Sequence, residues 1–175
     1  MQKRSDLVFL GDSLTDFHDW SAFGRHHNAG IAGDTTDGLL YRLYYTLEKQ
    51  PETLVLMIGI NDLLQGQAIK HIEHNYSRIL EQIEDIDTVV ILSVLPVKAM
   101  PETASINNDI RKLNTYLQKE SQQRAYTFVD LYSLMADETG RLKENYSSDG
   151  VHLTPAAYRV WEEALQTVLP KVQPN

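Results

Sequence analysis

The stretch Leu7-Val8-Phe9-Leu10-Gly11-Asp12-Ser13-Leu14 decides how the rest of the chain is read. A short apolar run, with charge before it and Gly-Asp-Ser after it, predicts a buried strand that stops abruptly. In an open α/β sheet, ligands bind in the crevice outside the carboxyl ends of the strands. Ser13 falls there, as the chain turns towards a helix. Taken alone, Gly-Asp-Ser also reads as an ordinary turn, since each of the three residues favours turns for its own reason.

Outward from this strand, the same grammar repeats. Residues 15–27 are polar and aromatic, with Trp20 and Phe23 as anchors of a loop or short helix. A second strand spans His27 to Ile31 and ends at Gly33-Asp34-Thr35-Thr36-Asp37. Asp34 and Asp37 resemble a capping arrangement, with carboxylates at the positive end of a helix. That helix carries Leu39, Leu40, Leu43, Tyr44 and Leu47 on one face, and Pro51 closes it. Thr53 to Ile58 is a continuous apolar strand, as a sheet covered on both faces requires, and Gly59-Ile60-Asn61-Asp62 ends it.

A helix with Ile69, Ile72, Tyr76, Ile79, Leu80 and Ile83 follows, then a strand from Thr88 to Val94 and a loop with Pro96, Met100 and Pro101. The next helix presents Ile106, Ile110, Leu113 and Leu117, and Tyr126 to Val129 is the fifth strand. The closing helix has Thr154 as its cap, Pro155 at its first position and a stripe of Ala157, Val160, Trp161, Ala164, Leu165 and Val168. Pro170 and Pro174 mark a short tail. Five strands alternating with helices predict an α/β fold, a three-layer α/β/α sandwich on a parallel sheet with right-handed crossovers. The common order for five strands is 2-1-3-4-5, which brings Ser13, Gly33 and Asn61 to one crevice at the topological switch.

Composition sets bounds on what such a fold does. At 175 residues the chain reads as one domain, 1–175, long enough to bury a proper core. Hydrophobic residues at 42% and charged residues at 23% are globular proportions. A net charge of -8 argues against non-specific binding to nucleic acid or anionic membranes. There is no cysteine, which excludes disulfides and thiolate chemistry. The apolar residues before Gly11 are too few for a signal-peptide core, and no apolar run has the length of a membrane span. The expectation is a soluble cytoplasmic protein with a small-molecule partner and no membrane span.

A serine hydroxyl is a poor nucleophile until a base takes its proton. His152, in Asp149-Gly150-Val151-His152, is the candidate base. A spacing of three within a loop lets the carboxylate reach the near ring nitrogen, fix the tautomer and support the imidazolium. The loop follows the fifth strand, and Thr154-Pro155 pins it to a helix start. Asp-Gly with an exposed histidine is also a simple turn. Donors aimed at a developing oxyanion are often the largest catalytic contribution. The backbone N–H groups of Ser13 and Gly33 and the side-chain amide of Asn61 are three candidates. A glycine at 33 lets a ligand approach the backbone, although it also reads as a helix entry, and Asn61-Asp62 as a turn.

Four blocks therefore stand in order: Gly11-Asp12-Ser13-Leu14, Asn28-Ala29-Gly30-Ile31-Ala32-Gly33-Asp34-Thr35-Thr36, Gly59-Ile60-Asn61-Asp62 and Asp149-Gly150-Val151-His152-Leu153-Thr154. Together they resemble the SGNH hydrolases, also called the GDSL esterase/lipase family, over nearly the whole chain. The resemblance implies a flavodoxin-like sandwich with Ser13 as nucleophile and first oxyanion donor. Gly33 is then the second donor, Asn61 the third, His152 the base and Asp149 its orienting acid. It is nearest the small single-domain branch with platelet-activating-factor acetylhydrolase-like and thioesterase-like bacterial enzymes. The activity implied is hydrolysis of carboxylic esters through an acyl-enzyme, with no cofactor and no metal. Thr15 stands where a Gly-x-Ser-x-Gly motif has its second glycine, so the α/β-hydrolase elbow is not what this is.

Two rival readings use the same residues. A metal-dependent phosphoesterase would draw on Asp12, Asp34, Asp62 and Asp149, but only His152 joins them. A catalytically silent glycan- or lipid-binding module would share the fold, which does not fix function. His71 and His74, three apart on a helix, read as a solvated face, and His26-His27 as loop and strand start. The loop from Leu95 to Thr103 is read as a wall of the acyl pocket, whose limited apolar lining suits short or medium chains. Activity is expected to rise with pH as His152 loses its proton.

Overall fold

The computed structural model describes residues 7–98 and 105–169. In chain order it contains β1 (Leu7–Gly11), α1 (Ser13–Asp16), β2 (His27–Gly30), α2 (Thr36–Leu47), β3 (Thr53–Met57), α3 (Ile60–Leu64) and α4 (Ile69–Gln82). Next come β4 (Thr88–Leu92), α5 (Ile106–Gln123), β5 (Thr127–Val129), α6 (Leu131–Met135) and α7 (Pro155–Gln166). The strands form one five-stranded sheet in the order β2-β1-β3-β4-β5, the α/β arrangement that the alternation of elements predicts. β1 pairs in parallel with β2 and β3, and β3 with β4. Gly11 lies opposite Gly30 on one side and Met57 on the other. The chain therefore leaves β1, β2 and β3 at the same end of the sheet, and Ser13, Gly33 and Asn61 all follow from that end.

By internal contacts the chain divides into two compact units, 1–91 and 92–175. In the first, every residue of β1 is buried, as a strand covered on both faces must be. Phe9 stacks on Trp20 with ring centroids 4.4 Å apart and meets Phe23 at 5.7 Å. Leu39 and Leu43 of α2 and Ile72, Tyr76, Ile79 and Leu80 of α4 are buried with the β3 strand. The buried Tyr76 hydroxyl accepts from the Ile58 N–H at 3.2 Å and donates to the Ile58 carbonyl at 2.5 Å, so its polar atom is satisfied. In the second unit, Ile110, Leu113 and Leu117 of α5 are buried, as are Leu131, Met135, Trp161 and Leu165. Trp161 stacks with Tyr158 at 5.9 Å. Ser93 N–H donates to the Val129 carbonyl, which fixes the end of β5.

Three expectations need correction. The buried face of α2 is Thr36, Leu39, Leu43 and Thr46, whereas Tyr44 is 62% exposed. A tyrosine tolerates a wet surface, and the Tyr44 hydroxyl instead reaches Glu48. The cap of α2 is Thr35, which accepts from the Gly38 N–H; Asp34 precedes it and faces Arg42. β2, β3, β4 and β5 are one or two residues shorter than the runs expected for them, and β3 stops at Met57 because α3 begins at Ile60 and the chain turns before it. Thr154 does cap α7 with Pro155 in its first turn. Residues 99–104, with Met100 and Pro101 of the expected pocket wall, lie outside the described residues, as do Pro170 and Pro174.

Candidate active site

The Gly-Asp-Ser turn is a strand-to-helix junction. Asp12 caps α1 by accepting the Leu14 N–H at 2.9 Å on its side chain, and its carbonyl takes the Asp16 N–H at 2.9 Å. Ser13 is the first residue of α1 and only 6% exposed. α1 has a single turn, so it does not hold itself in place; its surroundings do. The Asn28 amide donates to the carbonyls of Thr15 at 3.0 Å and of Asp16 and His18 at 3.3 Å. The Trp20 indole N–H donates to the Thr15 carbonyl at 2.9 Å. On the other side, a Cβ at Gly30 would sit 2.3 Å from the Asp16 nitrogen, so only glycine lets β2 approach α1 this closely.

Gly33 has a φ of +80° and open space where a Cβ would project. Glycine is favoured there by the left-handed backbone. Asn61, in the first turn of α3, donates from Nδ2 to the Asp34 carbonyl at 2.8 Å. That bond places the amide beside the Gly33-Asp34 turn. Among the described residues no acceptor takes its second hydrogen. The next residue, Asp62, is fully buried and accepts the Thr36 N–H at 2.9 Å and the Thr36 hydroxyl at 2.5 Å. Burial pushes the Asp62 carboxyl up, and the two Thr36 donations oppose the shift.

The network runs on to the surface. Asn75 donates to the Thr36 hydroxyl at 3.0 Å and to Asp37 at 2.9 Å, and His71 meets Asp37 at 2.7 Å. His71 holds the Asp37 carboxyl below its ordinary value, helped by Asn75. The expected solvated histidine face is thus part of a polar chain at His71, while His74 is exposed.

In the second unit, His152 Nδ1 lies 2.6 Å from Asp149 Oδ2. Asp149 Oδ1 accepts the N–H groups of Val151 at 2.9 Å and His152 at 2.8 Å. Burial acts to raise the Asp149 carboxyl, but the Val151 and His152 donations outweigh it, and the carboxyl ends well below the usual range. Ser147 and Leu153 form an antiparallel bridge, and the Ser147 hydroxyl accepts the Gly150 N–H at 2.9 Å. Both members of the pair remain accessible, His152 at 44% and Asp149 at 52% of their side chains. Nδ1 faces the carboxylate, and Nε2 is the opposite ring nitrogen.

Ser13, Gly33 and Asn61 thus stand in the first unit, and Asp149 and His152 in the second. Sequence reasoning gave no role to Asn28, Arg42, Thr36 or Ser147, and used Asp62 only in the metal-dependent reading. Asn28, Thr36 and Asp62 lie inside the quoted blocks, and that proximity was the available signal. Among the described residues no group of three or more His, Asp or Glu side chains is arranged to hold a metal ion. No helix of the described residues is long and apolar enough to cross a membrane.

Comparison with known proteins bears on the chemistry. Residues 9–160 match the profile of the GDSL-like Lipase/Acylhydrolase family. The chain is 24% identical, over 98% of its length, to an N-acylneuraminate cytidylyltransferase of Streptococcus agalactiae serotype V, and spans 40% of that protein. It is 26% identical, over 84% of its length, to esterase TesA of Pseudomonas aeruginosa, of which 69% is covered. Among solved structures, a catalytic mutant of an acetylxylan esterase from Geobacillus stearothermophilus matches over 100% of both chains with a TM-score of 0.81 at 17% identity. The last is a likeness of fold.

Proposed function

Because the chain belongs to the GDSL-like lipase/acylhydrolase family, we propose that it is a serine esterase that splits carboxylic esters through an acyl-enzyme, with a Ser13-His152-Asp149 triad. Ser13 Oγ attacks the ester carbonyl carbon as its proton passes to His152 Nε2, and Asp149 steadies the imidazolium formed. The carbonyl oxygen gains negative charge and is met by the N–H groups of Ser13 and Gly33 and the amide of Asn61. Each such donor is typically worth about 3 kcal/mol in the transition state. The tetrahedral species collapses, His152 returns the proton to the departing alcohol, and the acyl group stays on Ser13. Water repeats the path in reverse and releases the acid.

The observation that carries this reading is the 2.6 Å contact between His152 Nδ1 and Asp149 Oδ2, the orientation in which a carboxylate fixes the tautomer of a histidine base. The likeness to esterase TesA supports oxygen esters. Thioesters and lysophospholipids fall under the same chemistry. The substrate proposed is a small-molecule ester with a short or medium acyl chain, met in the cytoplasm by a single domain.

The test is a fluorophosphonate probe followed by peptide mapping. Label is expected on Ser13, together with p-nitrophenyl acetate hydrolysis that Ser13→Ala lowers by about 10⁶-fold. Label on another residue, or none, overturns the assignment; unlabelled protein is what a silent binding module gives. A p-nitrophenyl series fastest on long chains overturns the chain-length reading alone.

A further inference from the structure

Arg42 is a cation drawn into the first unit from α2, with its side chain 15% exposed. A buried charge is kept only where its donors are matched, and here they are spread over three targets. Nε donates to Asp34 Oδ2 at 2.7 Å, Nη1 to the Ala29 carbonyl at 2.9 Å and Nη2 to the Gly11 carbonyl at 2.9 Å. The targets sit at three places that matter to the proposed chemistry. Gly11 ends β1, two residues before Ser13. Ala29 lies in β2, one residue before the glycine that α1 packs against. Asp34 follows Gly33, and its own carbonyl holds the Asn61 amide.

We infer that the Arg42–Asp34 pair is a positioning pair that sets the mutual geometry of all three oxyanion donors. The inference rests on the esterase reading above. One planar guanidinium refers Ser13 to the frame through Gly11, Gly33 through the Asp34 carboxylate and Asn61 through the Asp34 carbonyl. A point charge cannot do this. Lysine has no fixed fork, so its ammonium would have to choose among acceptors lying in different directions. Arg42 touches no reacting atom in this scheme; it acts through the groups that do. Such preorganisation lowers the barrier because the donors need not rearrange as charge develops, and a misplacement of about 1 Å costs on the order of 10²-fold in rate.

The test compares wild type, Arg42→Met, Arg42→Lys and Ser13→Ala in p-nitrophenyl acetate hydrolysis, with the folded fraction measured at the assay temperature. Arg42→Met is expected to lower kcat by about 10²-fold per folded molecule with KM within about twofold, the signature of an interaction made only in the transition state. Its second-order rate of inactivation by a fluorophosphonate, which also builds charge on oxygen, should fall in step. Arg42→Lys, which keeps the stem and the charge, should recover only part of the rate and remain about tenfold slow. It also supplies the reading where Arg42→Met does not fold.

A merely structural role would lower the melting temperature and leave kcat per folded molecule unchanged. Turnover by either folded Arg42 variant within twofold of wild type therefore overturns the inference. If Ser13→Ala is inactive while that happens, the esterase reading stands and only the positioning role is lost. If Ser13→Ala retains wild-type turnover, the esterase reading itself has failed.

Discussion

The surroundings of Ser13 and those of His152 are built on opposite plans. Around Ser13 the restraints are partly or wholly buried and reach far along the sequence: Asn28 to α1, Arg42 to β1 and Asp34, and Thr36 to Asp62. Around His152 the contacts of the carboxylate are local and wet, with Asp149 bonded to residues two and three positions on, and one distant bond, from the Lys98 N–H to the Gly150 carbonyl, ties the loop from outside. A buried polar network is costly when incomplete and rigid when complete. A loop closed by neighbours in sequence forms with little entropy to overcome. The contrast suits the roles proposed: oxyanion donors act by not moving, whereas a base that passes a proton both ways tolerates accessibility.

The contrast can be broken experimentally. The largest effect should come from the local side. Asp149→Asn keeps the shape of the loop but loses the carboxylate that selects the histidine tautomer, and kcat should fall by about 10⁴-fold. Only a small drop in thermal melting at neutral pH should accompany that loss, measured by calorimetry, because an exposed pair adds little to stability. On the buried side, Asn61→Ala should lower kcat by about 10²–10³-fold with little change in KM. A change confined to KM would make Asn61 a substrate contact instead.

The smallest effect is the most discriminating, because the two sides titrate with opposite sign. Asp149 is held below its ordinary value of 3.8, so its contribution to stability is complete above that value and is lost as pH falls below it. Asp62 is pushed above 3.8 by burial, so the native state binds its proton first and stability is gained as pH falls through the raised folded value towards 3.8. In melting curves between about pH 7 and pH 3, the deficit of Asp149→Asn relative to wild type should shrink on acidification. Asp62→Asn should lose ground to wild type over the same change. Curves that shift together would erase the distinction between the two regions.

The same division explains what the sequence made legible. Asp149 and His152 are three apart, and Thr154 and Pro155 announce α7 directly, so pairing and cap were readable from spacing. The strand order was readable because continuous apolar runs alternate with helical stripes. Arg42 was not: its carbonyl targets at Gly11 and Ala29 lie 31 and 13 residues away, and no local pattern carries such a distance. Thr36 and Asp62 are 26 apart and each reads locally as a turn or cap. The face of α2 was misjudged at Tyr44 because aromatic character does not fix burial, and α6, with five residues, is too short to show a period.

One consequence of the fit between β2 and α1 reaches beyond catalysis. At position 30 any methyl group would collide with the main chain of the turn that bears Ser13. A chain could therefore be silenced by a substitution that spares every reactive group, and a search for decayed members of such a lineage that inspects only the polar residues would miss it.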